Sequence, residues 1–266
     1  KDSEIIWSNP GKMHHDLQVT PEGDILVLTR EVKIEPGLHE TNPVMLDYIS
    51  ILDRDGVEKK RISLLECLER SGEYKLGSLE GVKRNLDLLH TNSLELLDGS
   101  IADRVPAFKK GRILTSFLVP DMIAVVDLDE EKVVWTCTGA FRRQHDPKVL
   151  KNGNLLLFDN MGKPGSSSVM EIDPATRETK WVYRGTEEHP FYTQSCGTAQ
   201  RLPNGNTLIT ESDKGRAFEI TPEKEIVWEF INPNLAGGNK EYIATLFEVI
   251  RLDADFPLSW AHRNPK

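Results

Sequence analysis

Short apolar runs separated by turn residues recur along this chain. Aligned on their turn glycines, Gly23 precedes Asp24-Ile25-Leu26-Val27-Leu28, Gly111 precedes Arg112-Ile113-Leu114-Thr115-Ser116, Gly153 precedes Asn154-Leu155-Leu156-Leu157-Phe158, and Gly205 precedes Asn206-Thr207-Leu208-Ile209-Thr210. A further short run follows each: Tyr48 to Leu52, Ile123 to Asp127, Val169 to Asp173 and Ala217 to Ile220. Three units then close on a last strand ending at a tryptophan, Trp135, Trp181 or Trp228, about 46 residues apart. Short runs bounded by Gly, Asn, Asp and Pro read as strands, and Asn-Gly or Asp-Gly between them reads as a tight hairpin because Gly tolerates positive φ.

Four antiparallel strands per repeat of about 45 residues is the blade of a β-propeller. The fold class expected is therefore all-β, a β-propeller of four-stranded antiparallel blades. Residues 1–266 are expected to form a single β-propeller domain of about four complete blades with partial blades at both ends. Insertions lengthen the units at 30–46, 66–88 and 100–110, and Leu64 to Arg70 reads as one short helix. Trp7 looks like the end of an outer strand whose blade is otherwise missing. Leu246 to Leu252 looks like an inner strand with no blade after it. From these we expect the natural protein to extend further at its N-terminus by about one to two blades. The alternative is a five-bladed ring with one degenerate blade. The segment from Phe256 to Lys266 shows no periodicity and is expected to wrap the outside or be poorly ordered.

Composition narrows the partners. The chain is 38% hydrophobic and 28% charged, with a net charge of −9, which disfavours a phosphate backbone as partner, so no nucleic acid is expected. No apolar run approaches the roughly 18 residues of a membrane span, and no signal peptide is visible. Cys67, Cys137 and Cys196 are odd in number and far apart, which argues against a disulfide framework or a zinc-thiolate site.

The chemistry centres on histidine. The first strand of each propeller blade lines the central channel, so residues just ahead of it converge on one mouth. Three of the seven histidines, His15, His90 and His145, stand ahead of the turn in successive units, where the fourth unit has Cys196-Gly197-Thr198. Neutral imidazole is a nucleophile, a general base and a metal ligand. Three readings are open: one histidine attacks a substrate while the others handle its proton and charge; His15, His90 and His145 hold a divalent metal for lyase or hydrolase chemistry; or the funnel only binds a polar ligand. A structural His-Asp bridge between blades is the non-functional counterpart.

The ordered set His15, His90-x-Asn92 and Gln144-His145-Asp146-Pro147, with Glu171-Ile172-Asp173-Pro174-Ala175-Thr176 and Leu202-Pro203-Asn204-Gly205-Asn206 through Ser212, resembles the arylsulfotransferases of the aryl-sulfate sulfotransferase type over roughly residues 4–250. The resemblance implies a six-bladed propeller, with an N-terminal part missing here. It implies an extracytoplasmic or periplasmic setting and sulfuryl transfer from an aryl sulfate to a phenol through a sulfohistidine, with no nucleotide donor and no cofactor. It would make His145 the nucleophile. His90 and Asn92 would hold sulfuryl oxygens, and His15 would protonate or orient the phenolic oxygen. The family's Ser-x-Arg phrase aligns with Ser116-Phe117-Leu118, so a leucine stands where an arginine is expected. Arg104, Arg112, Arg142 or Arg143 would then have to supply a guanidinium, and Arg104 and Arg143 are taken as substrate-binding candidates. Cys196 and Tyr192 complete the expected pocket, Tyr192 with Phe191 packing on an aromatic substrate. A small aromatic or anionic molecule is thus the expected partner. His14 is expected to point away from the axis, His39 and His189 to lie in loops above the mouth, Asp127 to Glu131 to be a solvated turn, and Ser166 to Ser168 a loop.

Overall fold

The computed structural model describes residues 4–39, 41–72 and 86–257. Four four-stranded antiparallel sheets follow one another in a β-propeller arrangement. The first blade holds β1 (Met13–Val19), β2 (Ile25–Lys33), β3 (Val44–Leu52) and β4 (Glu58–Ser63), and leads into helix α1 (Leu64–Arg70). The second holds β5 (Thr91–Leu96), β6 (Ile113–Phe117), β7 (Met122–Asp127) and β8 (Lys132–Thr138). The third holds β9 (His145–Val149), β10 (Leu155–Lys163), β11 (Ser166–Ile172) and β12 (Thr179–Arg184). The fourth holds β13 (Thr198–Arg201), β14 (Thr207–Glu211), β15 (Arg216–Ile220) and β16 (Ile226–Ile231). A small hairpin, β17 (Leu235–Ala236) and β18 (Tyr242–Ile243), follows. Among the described residues no helix is long and apolar enough to cross a membrane.

The apolar runs are continuous because middle strands are buried on both faces. In β6, Ile113 and Phe117 pack toward the first blade while Leu114 packs toward the third. In β10, Leu155 and Leu157 face the second blade while Leu156 and Phe158 face the fourth. Each inter-blade seam is thus one apolar layer, and burying one such side chain contributes about 1.5–3 kcal/mol. Helix α1 adds Leu64, Leu65 and Leu68 to the first seam, with Ser63 capping its N-terminus through Oγ to the Glu66 amide.

Polar clamps join the inner strands across the seams. The Asp16 carboxylate accepts from the Leu94 amide at 2.7 Å, and Glu95 accepts from the Val149 amide at 2.9 Å. Gln200 exchanges two hydrogen bonds with the backbone of Arg251, at 2.8 and 3.1 Å. The expected inner strand Leu246 to Leu252 therefore lies beside the fourth blade but pairs into no sheet.

Other boundaries differ from expectation. Trp7 is in no strand; it lies on Gly56 and its indole donates to the Arg54 carbonyl at 2.9 Å. The tryptophans expected to end outer strands sit inside them. Much of the expected insertion at 30–46 is a longer hairpin, with Arg30 opposite Asp47 and Lys33 opposite Val44. Ser166 to Ser168 is not a loop but the start of β11, because the Ser167 and Ser168 hydroxyls find buried acceptors at Asn160 O and Asp159 Oδ2. Residues 73–85 of the expected insertion at 66–88, and 258–266 of the C-terminal segment, lie outside the described residues.

Gly197 immediately precedes the fourth inner strand at φ +108°, and a Cβ there would meet the fully buried Phe158 ring at 2.7 Å. Gly197→Ala is expected to cost about 1–3 kcal/mol. An unchanged urea midpoint would contradict this packing.

Candidate active site

The inner strands enter the channel through backbone irregularities. β1, β5 and β9 each carry a bulge near their first residues. Five non-glycine residues there take left-handed φ: His15 at 56°, His90 at 49°, Arg143 at 56°, Asp146 at 50° and Cys196 at 55°. Each such residue costs about 1–3 kcal/mol and persists only where its surroundings over-determine it. Positions in the four inner strands can be compared by counting back from their ends. The inner strands end with Val19 opposite Ile25, Leu96 opposite Ile113, Val149 opposite Leu155 and Arg201 opposite Thr207. Counting back equally from those ends reaches His15, Asn92, His145 and Gly197. His90 lies two residues earlier, upstream of the bulge in β5, so Asn92 holds the position the sequence assigned to His90. His90 still reaches the cluster, its ring centroid 5.0 Å from that of His15.

A cavity of about 980 Å³ opens along the inner strands, lined among others by His14, His15, Asn92, His145, Lys148 and Cys196. His145 is 8% exposed. Its Nδ1 lies 2.8 Å from Asn160 Oδ1 and 3.2 Å from the Arg143 carbonyl, both acceptors. The Asn160 orientation is fixed, because its Nδ2 donates to the carbonyls of Thr193 and Cys196 at 3.0 and 2.6 Å. Nδ1 therefore carries the proton and Nε2 the lone pair. Burial holds His145 at about 4, against the hydrogen bonds of Asn160 and Arg143, so at neutral pH the ring is uncharged. Next to it Gln144 is fully buried, donating to Ser116 Oγ, Phe117 O and Met122 O. The Gln144 carbonyl in turn accepts from Asn92 Nδ2 at 2.9 Å, tying the second blade to the nucleophile candidate.

A second group stands behind His14 and His15, beside the cavity rather than in its lining. His90 Nδ1 donates to Asp87 Oδ2 at 2.6 Å. Arg30 lies between two carboxylates, its Nε 2.9 Å from Asp47 and its Nη2 3.6 Å from Asp87. The Thr91 amide donates to Asp47 at 2.7 Å. His14 does not point away as expected: its Nε2 lies 3.5 Å from Asp47, and its Nδ1 meets His15 Nδ1 at 2.8 Å. Burial, with the neighbouring His90, His14 and His145, lowers His15 to about 4. Burial also lowers His14 despite the Asp47 charge. Deeper in the channel, Lys148 pairs with Asp146 at 3.1 Å, and burial pushes the Glu95 carboxyl up to about 7.

Several expected residues are not brought here. Arg104 spans the far end of the seam, paired with Asp173 and donating to the Gly153 carbonyl. Arg112 pairs with Asp127, which is buried at the end of β7 rather than part of a solvated turn, its Oδ1 accepting from the Asp129 and Glu130 amides of the turn that follows. Arg143 is exposed and contributes only its backbone. Tyr192 does not line the cavity, and Phe191 is core, packed among Phe158, Tyr183 and Phe218. His39 and His189 also lie away from the cavity. Leu118 is buried, and its amide donates to the His90 carbonyl at 3.3 Å. Asn160, Asp87, Asp47, Arg30 and Lys148 escaped sequence reasoning. The available signal was a lone charge inside an apolar run, as at Asp47 between Val44 and Leu52, since such a charge needs a partner. Among the described residues no group of three or more His, Cys, Asp or Glu side chains converges as a metal-ligand set.

The arylsulfotransferase (ASST) family model matches residues 8–233, most of the chain. The chain belongs to the arylsulfotransferase family. No curated protein matches it. Among solved structures it is similar to a Bacteroides caccae protein of unknown function, at 16% identity and a TM-score of 0.49, over 88% of this chain and 67% of that one. It is also similar to virginiamycin B lyase of Staphylococcus aureus, at 13% identity and a TM-score of 0.45, over 89% of this chain and 64% of the lyase. A luciferin-regenerating enzyme matches at 10% identity and a TM-score of 0.47, over 85% and 78% of the two chains. Family membership places the chain among arylsulfotransferase-like proteins. In this ASST-family chain His15 and His145 of the resemblance line one cavity, with His90 against His15 and Leu118 in place of the arginine.

The uncharged histidines link stability to pH. Unfolded, His15 and His145 take up protons near 6.5; folded, near 4. Between those values the unfolded chain binds more protons, so stability falls as pH drops from 6.5 toward 4 and is unaffected by these groups above 6.5. His145→Gln is expected to flatten the urea midpoint against pH across that window. A slope unchanged from the parent would show that His145 is charged in the fold.

Proposed function

We propose that the chain moves a sulfuryl group from an aryl sulfate to a phenolic acceptor through a covalent intermediate on His145, without a nucleotide donor. The observation that carries this reading is the pinned tautomer of His145. With Nδ1–H held by Asn160, the Nε2 lone pair is the reactive edge, and burial keeps it unprotonated at neutral pH. When Nε2 attacks sulfur the ring gains positive charge, and the Asn160 carbonyl stabilises it through Nδ1–H. The Cys196 and Thr193 carbonyls hold Asn160 in that orientation. Asn92, on the equivalent position one blade earlier, is the candidate donor to a sulfuryl oxygen. The cavity has room for a phenyl ring, with apolar walls from Leu150, Leu156 and Val149. Leu118 supplies no charge to the sulfuryl oxygens, and the cationic groups that line the cavity are Lys148 and Arg201.

Incubation with 4-nitrophenyl sulfate is expected to release 4-nitrophenol and leave a sulfo adduct, mapped by peptide mass spectrometry to His145. Turnover without an adduct on His145, or no turnover, would overturn the reading. Asn160→Leu, which frees Nδ1 to lose its fixed tautomer, is expected to slow adduct formation by about 10- to 100-fold, the usual effect of removing a histidine's orienting partner. An unchanged rate would remove Asn160 from the account.

A further inference from the structure

Expelling an unactivated phenoxide requires a proton at the departing oxygen, and the cavity holds several nitrogens that could deliver it. The inference here rests on the sulfuryl-transfer reading of His145. His145 itself spends its lone pair on sulfur. His14 and His15 meet Nδ1 to Nδ1 at 2.8 Å, a contact that one shared proton satisfies. With His14 Nε2–H turned to Asp47, His14 Nδ1 accepts from His15 Nδ1–H, and His15 Nε2 is left as a bare lone pair. His15 is then an acceptor and has no proton to give at Nε2. Lys148 lies deeper and is paired with Asp146.

His90 differs in kind. Its Nδ1 donates to a carboxylate oxygen at 2.6 Å, within the charge-assisted range. The pair is anchored on three sides. The Leu86 carbonyl accepts from Met45, Asp87 bridges to Met45 on β3, and the His90 carbonyl accepts from Leu118. Burial opposes charge on Asp87, but the hydrogen bond to His90, with the charges of His90 and Arg30, outweighs it and keeps the carboxyl below its usual range. The His90 side chain is about one-third exposed, and its ring touches that of His15, which lines the cavity.

We propose that the Asp87–His90 pair shuttles the proton of the transfer, with His90 as catalytic acid and then base and Asp87 as its positioning residue, while His15 serves as a neutral acceptor. This moves the proton from His15, where the resemblance placed it. In the first half-reaction the His145 Nε2 lone pair forms the N–S bond and the S–O bond to the aryl group breaks. The S–O electron pair stays on the aryl oxygen, which takes the proton from His90 Nε2 and leaves as a phenol. In the second, the acceptor phenol returns a proton to His90 Nε2 as its oxygen bonds to sulfur, and the N–S pair goes back to His145. Asp87 orients the ring and balances its charge, the role of the buried carboxylate in hydrolase triads.

The test is single-turnover adduct formation on the full chain with two donors, 4-nitrophenyl sulfate, whose phenolate leaves readily, and phenyl sulfate, whose phenolate does not. Asp87→Asn and His90→Gln are each expected to slow the phenyl sulfate reaction by about 10²–10⁴-fold, the range for losing a general acid, and the 4-nitrophenyl sulfate reaction by less than about 10-fold. His15→Gln is expected to slow both donors equally. If Asp87→Asn and His90→Gln slow both donors equally, or if His15→Gln carries the leaving-group dependence, the shuttle assignment is overturned while the His145 reading stands. If the parent chain forms no adduct with either donor, both fall together.

Discussion

The hydrogen bond from His145 Nδ1–H to Asn160 Oδ1 is the contact on which the site depends, because it decides which edge of the imidazole is reactive. It is built from the fold outward. β10 carries Asn160 just beyond its buried apolar run Leu155 to Phe158, and the Ser167 hydroxyl on β11 donates to the Asn160 carbonyl. The loop before β13 then offers two carbonyls to Asn160 Nδ2, so the amide cannot rotate without losing both. A histidine on one strand thus has its tautomer set by an asparagine on the next, which is in turn set by the approach to the following blade. Loosening any of these links would let the proton move to Nε2 and quench the nucleophile without changing the fold.

Charge is distributed to support this. Burial lowers all three imidazoles nearest the cavity, outweighing the Asp47 charge at His14 and the Asn160 and Arg143 hydrogen bonds at His145, and reinforced by the neighbouring histidines at His15. Fixed charge is set behind them, in the Arg30, Asp47 and Asp87 group, where each ion has a counter-ion. In the proposed reaction such a site would meet an anionic sulfuryl group with hydrogen-bond donors and one carboxylate-backed imidazole. Leu118 buries its side chain and lends its amide to the His90 carbonyl, so the position keeps a structural part in the site while giving up its charge.

Much of this architecture was legible in the chain itself. Turn glycines and apolar runs gave the four sheets and their order, since hairpin signals and two-sided burial are local in sequence. The convergence of His15, His90 and His145 followed from where inner strands must point. The bulges were not legible, because an extra residue in one strand leaves no compositional trace; so Asn92, not His90, took the shared register position. The partners Asp47 and Asn160 were missed because each acts across a hairpin or a seam, whereas Asp87 stands only three residues before His90, in the stretch read as an insertion. Arg104 and Tyr192 were misplaced for a related reason. Nearness to a site in sequence says little in a propeller, where one strand carries the chain from one end of the channel to the other.

The central claim is that His145 is a neutral imidazole with its proton on Nδ1. Nitrogen-15 imidazole NMR of the uniformly labelled chain at neutral pH, with His145 assigned by its loss in His145→Gln, reads this directly. The account predicts an Nδ1–H tautomer with an unprotonated Nε2, converting to the other tautomer or to a mixture in Asn160→Leu. An Nε2–H tautomer or an imidazolium in the parent chain would contradict it.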